Sequence, residues 1–454
     1  MEQIINTQRQ YFNSNATKGI DFRKEQLKKL KKLLTKKEDD LNQAIYSDFK
    51  KSMFDNYTSE LSILYHDIDE AISNVKKWSK VKRVKTNLLN MPGRSYIIPE
   101  PLGVSLVIGA WNYPFHLSIA PAIAAIAAGN TVILKPSELP SNTSKAMAKL
   151  VNENFDPKFF KVIEGGVAET KELLEQKFDK IFFTGSIPVG RIVYQAAAKH
   201  LTPVTLELGG KSPTFLTEKC DLKVSVKRMV WAKFLNAGQT CVAPDYIFVH
   251  KNIKDKFLEQ IKVEIENSHF SVDNDNYVQI INEKNMNRLV DLLDEKKIYS
   301  GGSYDIKERY FEPTIMTDVT FDDKIMEDEI FGPILPVIEY ENIDDAIAKV
   351  KSRSKPLACY IFTNESKIKE KVLKEVSFGG GAVNDAVMHL TNSNMGFGGV
   401  GDSGMGNYHG ENGFKAFSHY KSILDKPTWI EPNIKYYPRT LGKLKLIKLL
   451  MGQK

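Results

Sequence analysis

The sequence predicts an α/β fold built on doubly wound parallel sheets, and three observations carry that prediction. From Leu102 onward, short apolar runs alternate with helical patterns. The same rhythm restarts after Gly209-Gly210 and continues to about residue 400. Repeated βα units of this kind close a parallel sheet with helices on both faces. Ahead of them, residues 20–80 read as helices, because Leu27, Leu30, Leu33 and Leu34 share one face between lysines and residues 61–78 repeat a similar spacing.

In order along the chain, residues 95–98 look extended. Residues 103–109 form a short apolar strand, followed by a loop and an Ala-rich helix, and residues 131–134 a second strand. Ser141 is expected to open and cap the next helix, since its hydroxyl can accept from a free backbone N–H. Strands follow at 160–163 and 180–183. In the second α/β region, strands are expected near 213–216, 246–249, 336–338, 357–362 and 381–384. Residues 396–413 hold eight glycines in eighteen positions and are not expected to form a regular element.

The chain has 454 residues, too many for one hydrophobic core. A hydrophobic share of 42% with 26% charged residues excludes a disordered chain and a membrane-embedded one. Three cysteines, Cys220, Cys241 and Cys359, cannot all pair, and none has metal-ligand spacing. No metal is therefore expected. Free thiols, an N-terminus without the apolar core of a secretory signal, and no apolar run long enough to span a bilayer predict a cytoplasmic protein. The net charge of +7 sits largely in Lys-rich helical segments and near the C-terminus. These read as solvated faces, with no nucleic-acid module.

Six segments carry candidate chemistry. Cys241 follows Phe-Leu-Asn-Ala-Gly-Gln-Thr on a bend between a helix and a strand, where a sulfur and nearby backbone N–H groups can face a substrate. Glu207 lies inside an apolar strand, between Leu206 and Leu208. It is either ion-paired with a nearby lysine or a general base raised toward neutral pH. Asn112, in a loop after the first parallel strand, is either a turn former or an oxyanion donor. Lys135 and Glu138, after the next strand, are surface residues or reach ribose hydroxyls. Gly185, Ser186 and Gly190 open a helix whose N-terminus suits a pyrophosphate. Glu329 and Phe331, two apart, point the same way if the stretch is extended, which suits a ribose and a ring.

Together and in this order, WNYPF, KPSE, FTGS, LELGGK, NAGQTC and EIFGP resemble the aldehyde dehydrogenase superfamily over about residues 20–425. The distal run VNDAVMHL, GFGGVGDSGMGNYHG and FSH resembles its class 3 branch, which takes fatty and aromatic aldehydes. The resemblance implies a Rossmann-like NAD(P)-binding domain (1–82 and 100–207) and an α/β catalytic domain (208–400). It also implies a small β oligomerisation extension (83–99 and 401–425) and a C-terminal tail (426–454).

By motif, Cys241 corresponds to the nucleophile, Glu207 to the base and Asn112 to the oxyanion donor. Lys135 and Glu138 correspond to contacts with the adenosine ribose, and Gly185, Ser186 and Gly190 to the pyrophosphate region. Glu329 and Phe331 correspond to contacts with the nicotinamide ribose and ring. The implied activity is oxidation of a hydrophobic aldehyde to its acid by a homodimer using NAD or NADP. Glu138 tips the choice toward NAD, because its charge would repel a 2′-phosphate. An acyl transfer to coenzyme A would not need Glu207, and a cofactor-free thiol hydrolase would want a histidine beside the cysteine. Met395 and Glu411 depart from the branch's usual residues near the substrate entrance and leave the substrate open. The tail mixes leucines with Lys443, Lys445 and Lys448. As a helix it would pack on the body or a dimer partner, with contact to an anionic membrane as the alternative.

Overall fold

The computed structural model describes residues 1–452. Gln453 and Lys454, the end of the expected tail, lie outside them. The first sheet has six strands in the spatial order Gly404–Met405, Val204–Leu208, Lys180–Gly185, Val104–Ile108, Thr131–Lys135 and Phe160–Val162. All pairings are parallel except that of Gly404–Met405, which lies antiparallel on Val204–Leu208. From Val104–Ile108 the chain builds outward in one direction and then returns to build in the other. Loops leaving the carboxyl ends on either side of that reversal diverge and open a crevice. Along Val104–Ile108, Val107 joins the main core while Leu106 and Ile108 join a second core on the opposite face. Helices cover both faces, which is why these strands read as continuous apolar runs rather than alternating ones.

The second sheet has seven strands in the order Ile298–Ser300, Thr314–Met316, Ile334–Tyr340, Tyr246–His250, Pro213–Leu216, Ala358–Phe362 and Gly380–Val383. It is parallel apart from Ile298–Ser300. The doubly wound α/β class is thus the observed one. Two of these strands, and the small hairpin Tyr304–Asp305 with Tyr310–Phe311, escape a reading of the sequence. At two or three residues each they are too short to show a period. A third sheet joins Lys82–Val84, Arg94–Pro101 and Ser418–Asp425, all antiparallel.

Three local expectations need correction. Ser141 does not cap its helix, Ser141–Asn152, whose N-cap is Pro140 without a side-chain bond. The carboxylate of Asp48 does so from another helix, accepting from the backbone N–H of Asn142 at 3.0 Å and of Thr143 at 2.8 Å. The Gly-rich stretch is partly regular, since it supplies the edge strand Gly404–Met405 and the start of the helix Gly410–Ala416. The tail helix Leu441–Leu450 does not pack on the body and buries no residue. Its lysines also fail to gather on one face, because Lys443 and Lys445, two apart, lie on nearly opposite sides of a helix.

Candidate active site

The loop after Val104–Ile108 carries Asn112, which is buried at 3% exposure. Facing it is the loop that follows the helix Leu222–Phe234. There Asn236, Ala237 and Gly238 take three successive left-handed conformations, at φ 54°, 51° and 70°. Glycine is required at 238, because a Cβ would lie 2.3 Å from the Gly332 carbonyl oxygen. The two loops are tied to each other. Asn112 Nδ2 donates to the Gln239 carbonyl at 3.0 Å, and Asn236 Nδ2 donates to the Asn112 carbonyl at 3.0 Å. The Tyr113 hydroxyl bonds Thr240 Oγ1 at 2.7 Å. Gln239 locks the bend, donating to the Asn236 and Gln279 carbonyls while its own oxygen accepts from the Ile281 N–H at 3.0 Å.

Cys241 sits at the end of this stapled bend, half-buried. Burial pushes its thiol up to about 12, helped by the charges of Glu329 and Glu207 and opposed by the backbone N–H groups of Cys241 and Val242. Cys220 and Cys359 have no comparable surroundings, and Cys359 is buried inside the strand Ala358–Phe362.

Glu207 lies in the strand Val204–Leu208 at 3% exposure. Neither carboxylate oxygen has a hydrogen-bond partner among the described residues. Of the two readings left open by the sequence, the lysine ion pair is absent: Lys211 pairs with Asp245 at 2.6 Å instead. Burial alone raises the Glu207 carboxyl well above the ordinary carboxylate range.

Glu329 approaches the same region from the second sheet. A Cβ on Gly209 would stand 1.9 Å from Glu329 Oε2, so the Gly-Gly pair is the cradle for this carboxylate. Burial and the neighbouring Asp245 push Glu329 up to about 8. The extended geometry expected for Glu329 and Phe331 does not occur, because Phe331 is left-handed at φ 48°. Its ring reaches the site by that turn and meets the Trp111 ring edge-on at 5.2 Å. Asp245 escaped the sequence reading. It accepts from Lys211 and from the Ile330 N–H at 2.9 Å, and so fixes the segment bearing Glu329. An aspartate just before a strand gives no signal of its own.

Lys135 ends the strand Thr131–Lys135, buried, with Nζ donating to the Pro136 carbonyl at 2.8 Å and 3.9 Å from Glu138 Oε2. Burial lowers its pKa. Glu138 is exposed, beside Gly166 at the start of the helix Val167–Leu174. Gly185 closes its strand, and Ser186 starts the helix Ile187–Lys199 without a side-chain cap, so that helix N-terminus is open. Gly190 faces inward, where a Cβ would be 2.5 Å from Leu208 Cδ2. Its smallness lets the helix sit close on the strand of Glu207.

A free thiol and two unneutralised carboxylates therefore converge beside an uncapped helix N-terminus at the carboxyl edge of a doubly wound sheet. The aldehyde dehydrogenase family model matches residues 1–423. The chain belongs to the aldehyde dehydrogenase family. It is 46% identical to the 4,4'-diaponeurosporen-aldehyde dehydrogenase of Staphylococcus aureus, across 99% of this chain and 98% of that one. It is 43% identical to the dimeric NADP-preferring aldehyde dehydrogenase of Mus musculus, across 93% and 94%. A solved structure described as the substrate-bound state of Staphylococcus aureus AldH superposes with a TM-score of 0.97 at 46% identity, covering 99% of both chains. As an aldehyde dehydrogenase the protein is an NAD(P)-dependent oxidoreductase acting on small-molecule aldehydes.

The residues in place suit that cofactor. The open N-terminus at Ser186 offers unpaired N–H groups to phosphate oxygens. The Glu329 carboxylate in its glycine cradle, and the buried Lys135 ammonium, are groups able to bond hydroxyls.

Proposed function

We propose that this aldehyde dehydrogenase oxidises hydrophobic aldehydes to carboxylic acids, with Cys241 as nucleophile, Glu207 as general base and Asn112 as oxyanion donor. The observation that carries the reading is the tie between the Asn112 amide and the Gln239 carbonyl, two residues before Cys241. The Cys241 thiol gives up its proton to solvent water, and the thiolate Sγ adds to the aldehyde carbon. The oxygen that gains charge is met by the second Asn112 N–H and the backbone N–H of Cys241. Loss of one such donor costs about 3 kcal/mol of transition-state stabilisation. NAD(P), when bound, supplies the hydride acceptor that turns the thiohemiacetal into a thioester. Glu207, in its carboxylate form, takes a proton from water as the water oxygen adds to the thioester carbon. The Cys241 thiolate then departs and leaves the acid.

Lys135 and Glu138 would hold the adenosine ribose, Ser186 with Gly185 and Gly190 the pyrophosphate, and Glu329 with Phe331 the nicotinamide ribose and ring. The exposed Glu138 carboxylate supports a preference for NAD over NADP. The hydrophobic substrate class rests on the similarity to the staphylococcal enzyme, whose name gives an apocarotenoid aldehyde. We read residues 1–82 with 100–207 as the cofactor domain, and 208–400 as the catalytic domain.

Homodimer formation is supported by the three-stranded sheet, where Val84, Tyr420 and Leu424 stand exposed beside Leu88 and Met91. Free thiols support a cytoplasmic location, and no helix among the described residues is long and apolar enough to cross a membrane. Exposure of Leu441 and Leu449 near Lys445 and Lys448 supports a subsidiary contact with anionic bilayers.

The central test is Cys241→Ala, which should abolish NADH formation with every aldehyde; retained turnover sinks the assignment. A panel of aldehydes from short aliphatic to long-chain and aromatic, each run with NAD and NADP, decides substrate and cofactor preference.

A further inference from the structure

The helix His116–Ala128, which begins where the Asn112 loop ends, is almost wholly buried. Both of its ends are held by charges from the N-terminal helical layer. At its start, Glu60 Oε2 accepts from the backbone N–H of Phe115 at 2.7 Å and of His116 at 3.1 Å. At its end, Arg23 donates to the Ala127 carbonyl at 3.2 Å, and a Cβ on Gly129 would lie 2.9 Å from the guanidinium. An anion at the N-terminus and a cation at the C-terminus both complement the helix dipole.

Glu60 is 0% exposed and its other oxygen takes the Lys51 ammonium at 2.8 Å; Lys51 is 1% exposed. The same ammonium lies 4.1 Å from the centre of the Tyr113 ring. Tyr113 in turn bonds Thr240, the neighbour of Cys241. The loop from Trp111 to Phe115 is thus gripped from behind by a buried ion pair and from the front by the nucleophile's own bend. A π-helical turn, Tyr57–Leu61, interrupts the flanking helices where Glu60 is needed.

We infer that Glu60, with Lys51, is a positioning residue that sets the Asn112 amide against Cys241. The inference rests on the reading of Asn112 as oxyanion donor. Neither residue touches the reacting atoms. Replacing the carboxylate by an amide turns an NH2 either toward the Lys51 ammonium or toward the backbone N–H groups, so one contact must be lost. The loop then shifts, and displacements of about 1 Å cost up to a hundredfold in rate. Of the residues read as the NAD site, only Phe331 meets this loop, at Trp111; Lys135, Glu138, Ser186 and Glu329 lie on other segments and keep the cofactor's affinity.

A double-mutant cycle tests this, measuring kcat/KM for hexanal at saturating NAD, with KM for NAD as the control. Asn112→Ala should lower kcat/KM about a hundredfold. Glu60→Gln should lower it about tenfold in the native background, less than about twofold in the Asn112→Ala background, and leave KM for NAD unchanged. An equal tenfold loss in both backgrounds overturns the positioning role while leaving the Asn112 reading intact. Full activity of Glu60→Gln overturns the positioning role too. Full activity of Asn112→Ala overturns both. If thermal melts show Glu60→Gln unfolded, Glu60→Asp carries the same cycle, because it keeps the charge for Lys51 but withdraws it from the helix.

Discussion

Glu60 and Glu207 are both withdrawn from water, at 0% and 3% exposure, yet their surroundings differ completely. Glu60 has three partners, an ammonium and two backbone N–H groups, whereas Glu207 has none among the described residues. The first is bound up in structure, with both oxygens already engaged. The second keeps both oxygens free, and burial raises its proton affinity, which supports the proposed role as base. A buried carboxylate's role is therefore read from its partners rather than from its depth.

The comparison can be broken most sharply at Glu207. Glu207→Gln should lower steady-state turnover by about 10²–10⁴-fold, with an acyl adduct on Cys241 visible by mass spectrometry. Unchanged rates would remove Glu207 as base. This variant should not lose stability, since no partner is stranded.

Glu60→Gln should behave in the opposite way, losing about 3 kcal/mol of stability in denaturant titrations, because Lys51 is left as an unpaired buried charge. Combining Lys51→Met with Glu60→Leu should recover much of that loss. Activity should nevertheless stay low, since the N–H groups of Phe115 and His116 remain unheld.

A smaller effect is expected from pH. The Glu207 carboxyl is raised in the folded protein above its ordinary value of 4.5. Its contribution to stability is present below that value and is lost as pH rises through the folded pKa. Thermal melts at pH 6 and pH 9 (about these values suffice) should show Glu207→Gln gaining on the native protein at the higher pH. The rate, by contrast, should climb with pH as Glu207 and the Cys241 thiol ionise. A rate that falls between neutral and mildly alkaline pH contradicts both assignments.

The smallest effect should come from deleting the chain after Tyr437. The tail helix buries nothing, so melting temperature and hexanal turnover should hold within error. A marked loss of stability would mean that the tail packs on a second copy.

Legibility from sequence divides along similar lines. The long parallel strands announce themselves, because burial on both faces makes them continuous apolar runs. Cys241 stands out because Gly238, Gln239 and Thr240 place it on a bend between a helix and a strand, whereas the left-handed turn at Ala237 has no signal in the sequence. Glu60 gives no such signal. It sits just ahead of the helical spacing of residues 61–78 as one polar residue among several, and only the tertiary fold brings it under the helix at residue 116. Asp48 is hidden in the same way, since it caps a helix about a hundred residues further on. Phe331 misleads because alternation was assumed where the backbone turns left-handed. Partners distant along the chain leave no local pattern.

The edge strand Gly404–Met405 lies directly on Glu207, with Gly404 opposite it, and the Ser403 carbonyl accepts from the Leu208 N–H. One flank of Glu207 is thus covered by a segment about two hundred residues further along the chain. A chain lacking that segment would still possess the thiol and both carboxylates, but with the flank of Glu207 open to water. Cutting the chain before Gly404 should consequently yield an inert product, although every residue read as reactive precedes the cut.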